Sequence, residues 1–100
     1  MSDEAGGAVQ LPIEETLDLH TFHPRDVAAV VEEYVHAARQ AGLREVRVIH
    51  GRGTGLQRAH IRSLLNRLPF VVEAYDAPPE LGGWGATIVV MADPEPSLQD

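Results

Sequence analysis

Six consecutive residues, His50-Gly51-Arg52-Gly53-Thr54-Gly55, carry the chemistry of an anion site. Glycines at alternate positions let the backbone take positive φ and turn its N–H groups toward one point. Arg52 adds a guanidinium that can make two parallel hydrogen bonds to a phosphate. The start of a following helix would favour the same negative charge through its dipole and free N–H groups. Arg58 and Arg62, four residues apart, share a flank just beyond. The spacing is not a Walker loop, which needs a Lys-Ser/Thr pair, and not a Rossmann G-x-G-x-x-G. It also suits a tight strand-to-helix turn with solvated arginines.

Asp18-Leu19-His20 is the second candidate. In a strand, residues i and i+2 project to one face. Asp18 can then orient His20 as a general acid or base, or the two can ligate a metal. His23 extends the pattern to D-x-H-x-x-H, a donor set for Zn, Mn or Mg. The plain alternative is a pair of polar residues on a wet sheet face. His36 reads as a helix-surface residue, and His60 lies near the arginines without a spacing that marks it catalytic. Gly82-Gly83-Trp84-Gly85 places the one Trp among three glycines. Backbone can approach a ligand there beside a flat aromatic, which suits stacking on a base or sugar. A hairpin with Trp84 tucked over the core is the competing reading.

Charge first argues against an anionic ligand. Fifteen acids against eight bases give −7 over 100 residues, which disfavours nucleic acid and anionic membranes. The distribution reverses this. All eight bases are Arg, and six (Arg44, Arg47, Arg52, Arg58, Arg62, Arg67) fall in one window with Glu45 as its single acid, a local +5. The remaining two arginines and fourteen acids carry −12. A coding bias explains Arg in place of Lys but not the clustering. The basic island is a candidate anion site.

The absence of Cys excludes disulfides, Cys-ligated zinc, iron–sulfur clusters and thiol catalysis. Hydrophobic residues at 44% and charged residues at 23% are ordinary for a globular chain, and the length suits one domain. Met1 to Gln10 lacks the positive and apolar regions of a signal peptide. No apolar run approaches the roughly 20 residues of a membrane span. A cytoplasmic domain without a membrane partner is expected.

The elements that must position these residues follow from periodicity. Thr16 to His20 alternates as a strand. Pro24 opens a helix whose stripe is Val27, Val30, Val31, Tyr34, Val35, Ala38 and Ala41, closed by Gly42. Arg44 to His50 alternates again, Ile61, Leu64, Leu65 and Leu68 mark a shorter helix, and Phe70 to Asp76 and Ala86 to Ala92 are strands. The order β-α-β-α-β-β predicts an α/β fold, a two-layer α/β sandwich. Its sheet is a mixed four-stranded one with two helices on one face, parallel crossovers first and an antiparallel pair last. Leu17, Leu19, Val46, Val48, Phe70, Val72 and Ala74 are expected to face the helices. Asp18, His20, Arg47, Glu73, Tyr75 and Thr87 are expected to face water. Ligands of open α/β sheets bind at the C-terminal strand ends, where the glycine loop, the Asp18–His20 pair and His23 are expected to converge. Residues 1–10 and 93–100 read as an acidic tail and a Pro-rich tail around a domain at 11–92.

Leu17-Asp18-Leu19-His20, then an amphipathic helix, then Val48-Ile49-His50-Gly51-Arg52-Gly53-Thr54-Gly55, then Gly82-Gly83-Trp84-Gly85-Ala86-Thr87, resembles the Smr (small MutS-related) domain over about residues 13–92. The resemblance implies a β-α-β-α-β-β fold similar to the C-terminal domain of a bacterial translation initiation factor. It also implies nucleic-acid binding and, as in several members, endonuclease activity: nicking of DNA, in some cases cleavage of RNA. Asp18 and His20 take the family's D-x-H positions, and His50, Gly51, Arg52, Gly53 and Gly55 its H-G-x-G-x-G positions. Gly82, Gly83, Gly85 and Thr87 take those of the last motif. Many members follow D-x-H with Gly; here Thr21-Phe22-His23-Pro24 follows, which reshapes the lip of the site. With no ATPase or DNA-clamp portion, the chain is similar to stand-alone Smr proteins.

The expected function is a nicking endonuclease, with DNA ahead of RNA as partner and Mg or Mn as the divalent metal. Asp18, His20, His50 and Arg52 are the expected catalytic residues. Gly51, Arg52, Gly53, Thr54, Gly55, Arg58, Arg62, Gly83 and Trp84 are the expected nucleic-acid contacts, and Asp18 and His20 the metal ligands. The rivals are a non-catalytic DNA- or RNA-binding module, an RNA endonuclease, and a domain whose basic face meets an acidic protein.

Overall fold

The computed structural model describes residues 13–93. Its elements are β1 (Thr16–Asp18), α1 (Val27–Gln40), β2 (Glu45–Ile49), α2 (Leu56–Asn66), β3 (Val71–Asp76) and β4 (Ala86–Met91). A 3-10 turn, Pro24–Asp26, leads into α1, and two more, Pro79–Leu81 and Gly83–Gly85, lie in the β3–β4 connection. This is the expected α/β order with a mixed four-stranded sheet. The tail residues expected at 1–10 and 94–100 lie outside the described residues. Asp93, expected to begin the second tail, has its carbonyl held by Arg39 and its carboxylate by Arg44.

Apolar spacing sets the packing. Val27, Val31, Val35 and Ala38 bury one stripe of α1, and Ile61, Leu64 and Leu65 one stripe of α2. Both stripes meet Val46, Val48, Val89 and Met91 of the sheet in one core. Gly42 closes α1 at φ 93°, where the N–H groups of Gly42 and Leu43 reach back to Arg39 and Ala38 carbonyls. A smaller cluster of Ala77, Ala86 and Ile88 covers part of the other sheet face.

The strand order is β1-β2-β4-β3, with β1 parallel to β2 and β4 antiparallel to both β2 and β3. β4 is nearly continuous apolar sequence, which suits a strand covered on both faces. Its direction decides where the site lies. The C-terminal ends of β1, β2 and β3 and the N-terminal end of β4 share one sheet edge: Asp18 pairs with Ile49, Ile49 with Ala86, and Asp76 with Thr87.

Two facing assignments are corrected. Val72, expected against the helices, is 67% exposed. The β3 register shifts between Val71 and Glu73, so that Val71 and Ala74 take the inward positions. Thr87, expected in water, is fully buried at 0% exposure. It lies opposite Val48 on the helix side. No helix among the described residues is long and apolar enough to cross a membrane.

Candidate nucleic-acid interface

The loop between β2 and α2 takes its shape from glycine. Gly51, Gly53 and Gly55 sit at φ 82°, 45° and 87°, a region that costs an L side chain about 1–2 kcal/mol. The N–H groups of His50 and Gly51 both donate to the Gly85 carbonyl, at 3.1 and 2.8 Å, which fastens the loop to the entry of β4. That approach needs Gly85. A Cβ there would lie 3.1 Å from Arg52 Cγ and 3.5 Å from the Gly51 carbonyl carbon. Thr54 is less open than expected, because its Oγ1 accepts the Leu56 N–H at 3.3 Å. The first turn of α2 has no acidic residue, and its leading N–H groups have no partner within the helix. A cleft of about 420 Å³ opens there, lined among others by Pro24, His50, Arg52, Thr54, Gln57 and His60.

Arg52 lies along the β4 entry. Its Nη2 donates to the Gly82 carbonyl at 3.4 Å, and its guanidinium carbon is 5.9 Å from the Trp84 ring centre. Trp84 is not tucked over the core. It is 42% exposed and belongs to neither apolar cluster.

His50 is committed to the scaffold. Its Nδ1 lies 2.9 Å from the Gly51 carbonyl, which can only accept, so Nδ1 carries the proton. Its Nε2 lies 2.9 Å from Thr87 Oγ1, and the same oxygen accepts Arg62 Nε at 3.2 Å. The Thr87 hydroxyl therefore donates to His50 Nε2. Burial holds the His50 pKa below its usual value, helped by the Arg62 and Arg58 charges. A neutral imidazole thus ties the loop to β4 and α2, and both of its ring nitrogens are used within the fold.

Asp18 and His20 meet as expected, but through a turn. β1 ends at Asp18, and one carboxylate oxygen accepts both the His20 backbone N–H at 3.0 Å and Nδ1 at 2.8 Å. The backbone bond, then the ring bond, holds the Asp18 pKa below the usual carboxylate value. With Nδ1 on the carboxylate, Nε2 is the open ring nitrogen, on a side chain 76% exposed. His23 does not join: its Nδ1 accepts the Arg25 N–H at 3.2 Å. No three His, Asp or Glu side chains come together as a metal site among the described residues. Asp18 and His20 are two donors, which fits an ion that keeps most of its shell as water and phosphate oxygens, as Mg²⁺ does.

The basic island of the sequence is dispersed in space. Arg44 pairs with Asp93 at 3.1 Å, next to β2's first residue and so far from the loop. Arg47 donates to the Leu81 carbonyl at 2.9 Å. Arg58 and Arg62 do share a flank, but both converge on one Asp76 oxygen, at 2.7 and 2.6 Å. Those hydrogen bonds and charges hold the Asp76 pKa down. Two arginines on one carboxylate leave a single net positive charge beside the loop, with Arg52 as the second. Asp76 and His60 were not picked out as site residues from the sequence, and Thr87 entered only as a position of the family motif, expected in water and given no site role. Asp76 had a usable signal, a carboxylate ending a strand at the ligand edge; the partners of Thr87, His50 and Arg62, come from a loop and a helix far away in sequence and have no local signature.

Residues 17–92 match the model of the Smr domain. The chain is 39% identical over 75 residues to Endonuclease MutS2 of Carboxydothermus hydrogenoformans, and 37% identical over 75 residues to Endonuclease MutS2 of Thermus thermophilus. Each match takes in 75% of this chain and only 10% of the longer protein. The crystal structure of the Smr domain of Thermus thermophilus MutS2 aligns with a TM-score of 0.74 at 35% identity, covering 79% of this chain and 99% of that one. YdaL, a stand-alone small MutS-related protein from Escherichia coli, aligns with a TM-score of 0.66 at 28% identity, covering 77% and 63%.

Proposed function

The chain belongs to the Smr domain family, and from that premise we propose that it binds nucleic acid at the strand-end edge and nicks DNA there. One observation carries the reading. The fold brings the Gly51–Gly55 loop, Arg52 and the Asp18–His20 pair to the same edge, beside an open cleft. The relatives named Endonuclease MutS2 support the reaction class.

Phosphodiester cleavage needs charge neutralised at the phosphorus and a placed nucleophile. Arg52 and the N–H groups at the start of α2 supply the first. His20 supplies the second: its open Nε2 takes the proton of an attacking water, while Asp18 fixes the ring and stabilises the imidazolium. His50 keeps the loop in place. In the alternative role, with Nε2 a ligand in place of a base, Asp18 and His20 would be the side chains to hold Mg²⁺ or Mn²⁺, whose chemistry when bound is to polarise the phosphate and acidify water.

A binding module without cleavage is the second reading, favoured by the internal commitment of both His50 nitrogens. A plasmid-nicking assay with Mg²⁺ or Mn²⁺ tests the first, run on the wild type and on Asp18→Ala, His20→Ala and Arg52→Ala. Nicking by the wild type that falls in all three variants is expected. Equal nicking by all four would trace the activity to a contaminant. Saturated binding with no nicking by the wild type would leave the binding module.

A further inference from the structure

We propose that Trp84, held by Arg52, is a stacking platform for an unpaired nucleobase, so that the site selects single-stranded or unpaired nucleotides over perfect duplex. The proposal rests on the nucleic-acid reading above and adds the substrate class. Trp84 is the chain's one Trp. An indole is among the largest apolar payloads a fold can bury, yet this one keeps 42% of its surface exposed and joins neither core cluster. It is nevertheless held. The Gly83–Gly85 turn carries it, and Arg52 lies along that turn, 5.9 Å from the ring centre and bonded to the Gly82 carbonyl. The glycines on either side make room for this. A Cβ on Gly83 would come to 3.0 Å from Arg52 Nη2, and one on Gly85 to 3.1 Å from Arg52 Cγ.

The exposed ring and the loop cation are thus one unit. Arg52 faces the phosphate loop on one side and the indole on the other. A nucleotide whose phosphate is drawn to Arg52 has its base within reach of Trp84. Leu56, at the first position of α2 and 75% exposed, adds a second apolar contact at the lip of the same loop. A paired base has both faces covered by its neighbours and cannot use such a surface; an unpaired one can.

Trp84 also reports on itself, because its fluorescence is the only indole signal. Fluorescence titrations would use a single-stranded oligonucleotide, a duplex with one unpaired base, and a fully paired blunt-ended duplex, each as DNA and as RNA. Anisotropy of the labelled oligonucleotides would compare wild type, Trp84→Ala and Trp84→Phe. The expected result is quenching with the unpaired ligands, and a loss of roughly five- to a hundredfold in affinity for them in Trp84→Ala. Trp84→Phe keeps most of that affinity and the fully paired duplex is bound equally by all three proteins. The Trp84→Ala loss persists at raised salt, unlike the phosphate contribution. Circular dichroism and thermal melting confirm folding of both variants, which an exposed residue outside the core permits. Unchanged fluorescence at saturation, or equal loss on paired and unpaired ligands, would overturn the stacking proposal and leave nucleic-acid binding intact. Failure of every oligonucleotide to bind would overturn the nucleic-acid reading itself.

Discussion

Two histidines lie at the same sheet edge and do opposite things. His20 is exposed, and its one partner, Asp18, is two residues away in sequence. His50 is half-buried, with one ring nitrogen on its neighbour's carbonyl and the other on Thr87, beyond which Arg62 and Asp76 continue the chain of bonds. Among the described residues the first makes no side-chain bond beyond that pair, and its side chain is 76% exposed. Removing the second side chain would leave the start of the loop tied to β4 only by its backbone bonds to the Gly85 carbonyl. On the proposed function, chemistry at this edge would fall to the local, loosely held pair, and geometry to the distributed, fully bonded network.

The sharpest way to break this division is to delete each histidine's side of it. His20→Ala should lower the single-turnover nicking rate by about 10²–10⁴-fold, the usual worth of a positioned general base. Its urea-unfolding stability should stay within about 0.5 kcal/mol of wild type. Thr87→Val should do the reverse. It strips a bond from His50 Nε2 and from Arg62 Nε while keeping the shape of a fully buried side chain. A cost of about 1–3 kcal/mol in unfolding free energy is expected, with weaker oligonucleotide binding as a consequence. Gly51→Ala sharpens the geometric half. The space there is open, so the positive φ alone should cost about 1–2 kcal/mol by the same denaturation measurement.

The pH dependence of stability gives a smaller effect with a definite sign. Folding holds the His50 pKa below its ordinary 6.5, so the unfolded chain takes up that proton first. Stability from this group is present above about pH 6.5 and declines as pH falls through the folded value. Asp18 and Asp76, both held down by partners, contribute above their ordinary 3.8 and lose that contribution only at lower pH. Denaturation midpoints between pH 8 and pH 5 should fall in the wild type, and the slope should shrink in His50→Gln.

Most of this arrangement was legible in the sequence. Glycine at three alternate positions announced the loop, because only a positive-φ backbone demands it. The alternating strands and helical stripes gave the layers and hence the edge where the motifs meet. The Asp18–His20 pair was found for the wrong geometric reason: a turn makes it, not strand alternation. Linear charge misled most. Six arginines close in sequence point along a strand, a loop and a helix, and Asp93 and Asp76, outside their window, pair with three of them and offset two of their charges. Ala86–Met91 is too continuously apolar for a half-exposed strand, a signal of its central place that the alternation reading, with Thr87 in water, passed over. The inward turn of Val71 depends on a register shift in β3 that no local pattern encodes.

The location of the ligand tests the account most directly. Backbone amide resonances of the ¹⁵N-labelled protein would be followed while a short single-stranded oligonucleotide is added. Shifts should concentrate on residues 50–57, on Gly82 to Gly85, and on His20 at the end of β1. Arg44, and Glu32 and Glu33 on the outer face of α1, should stay still. Shifts centred on Arg44 or the α1 face, with the Gly51–Gly55 amides unmoved, would contradict it.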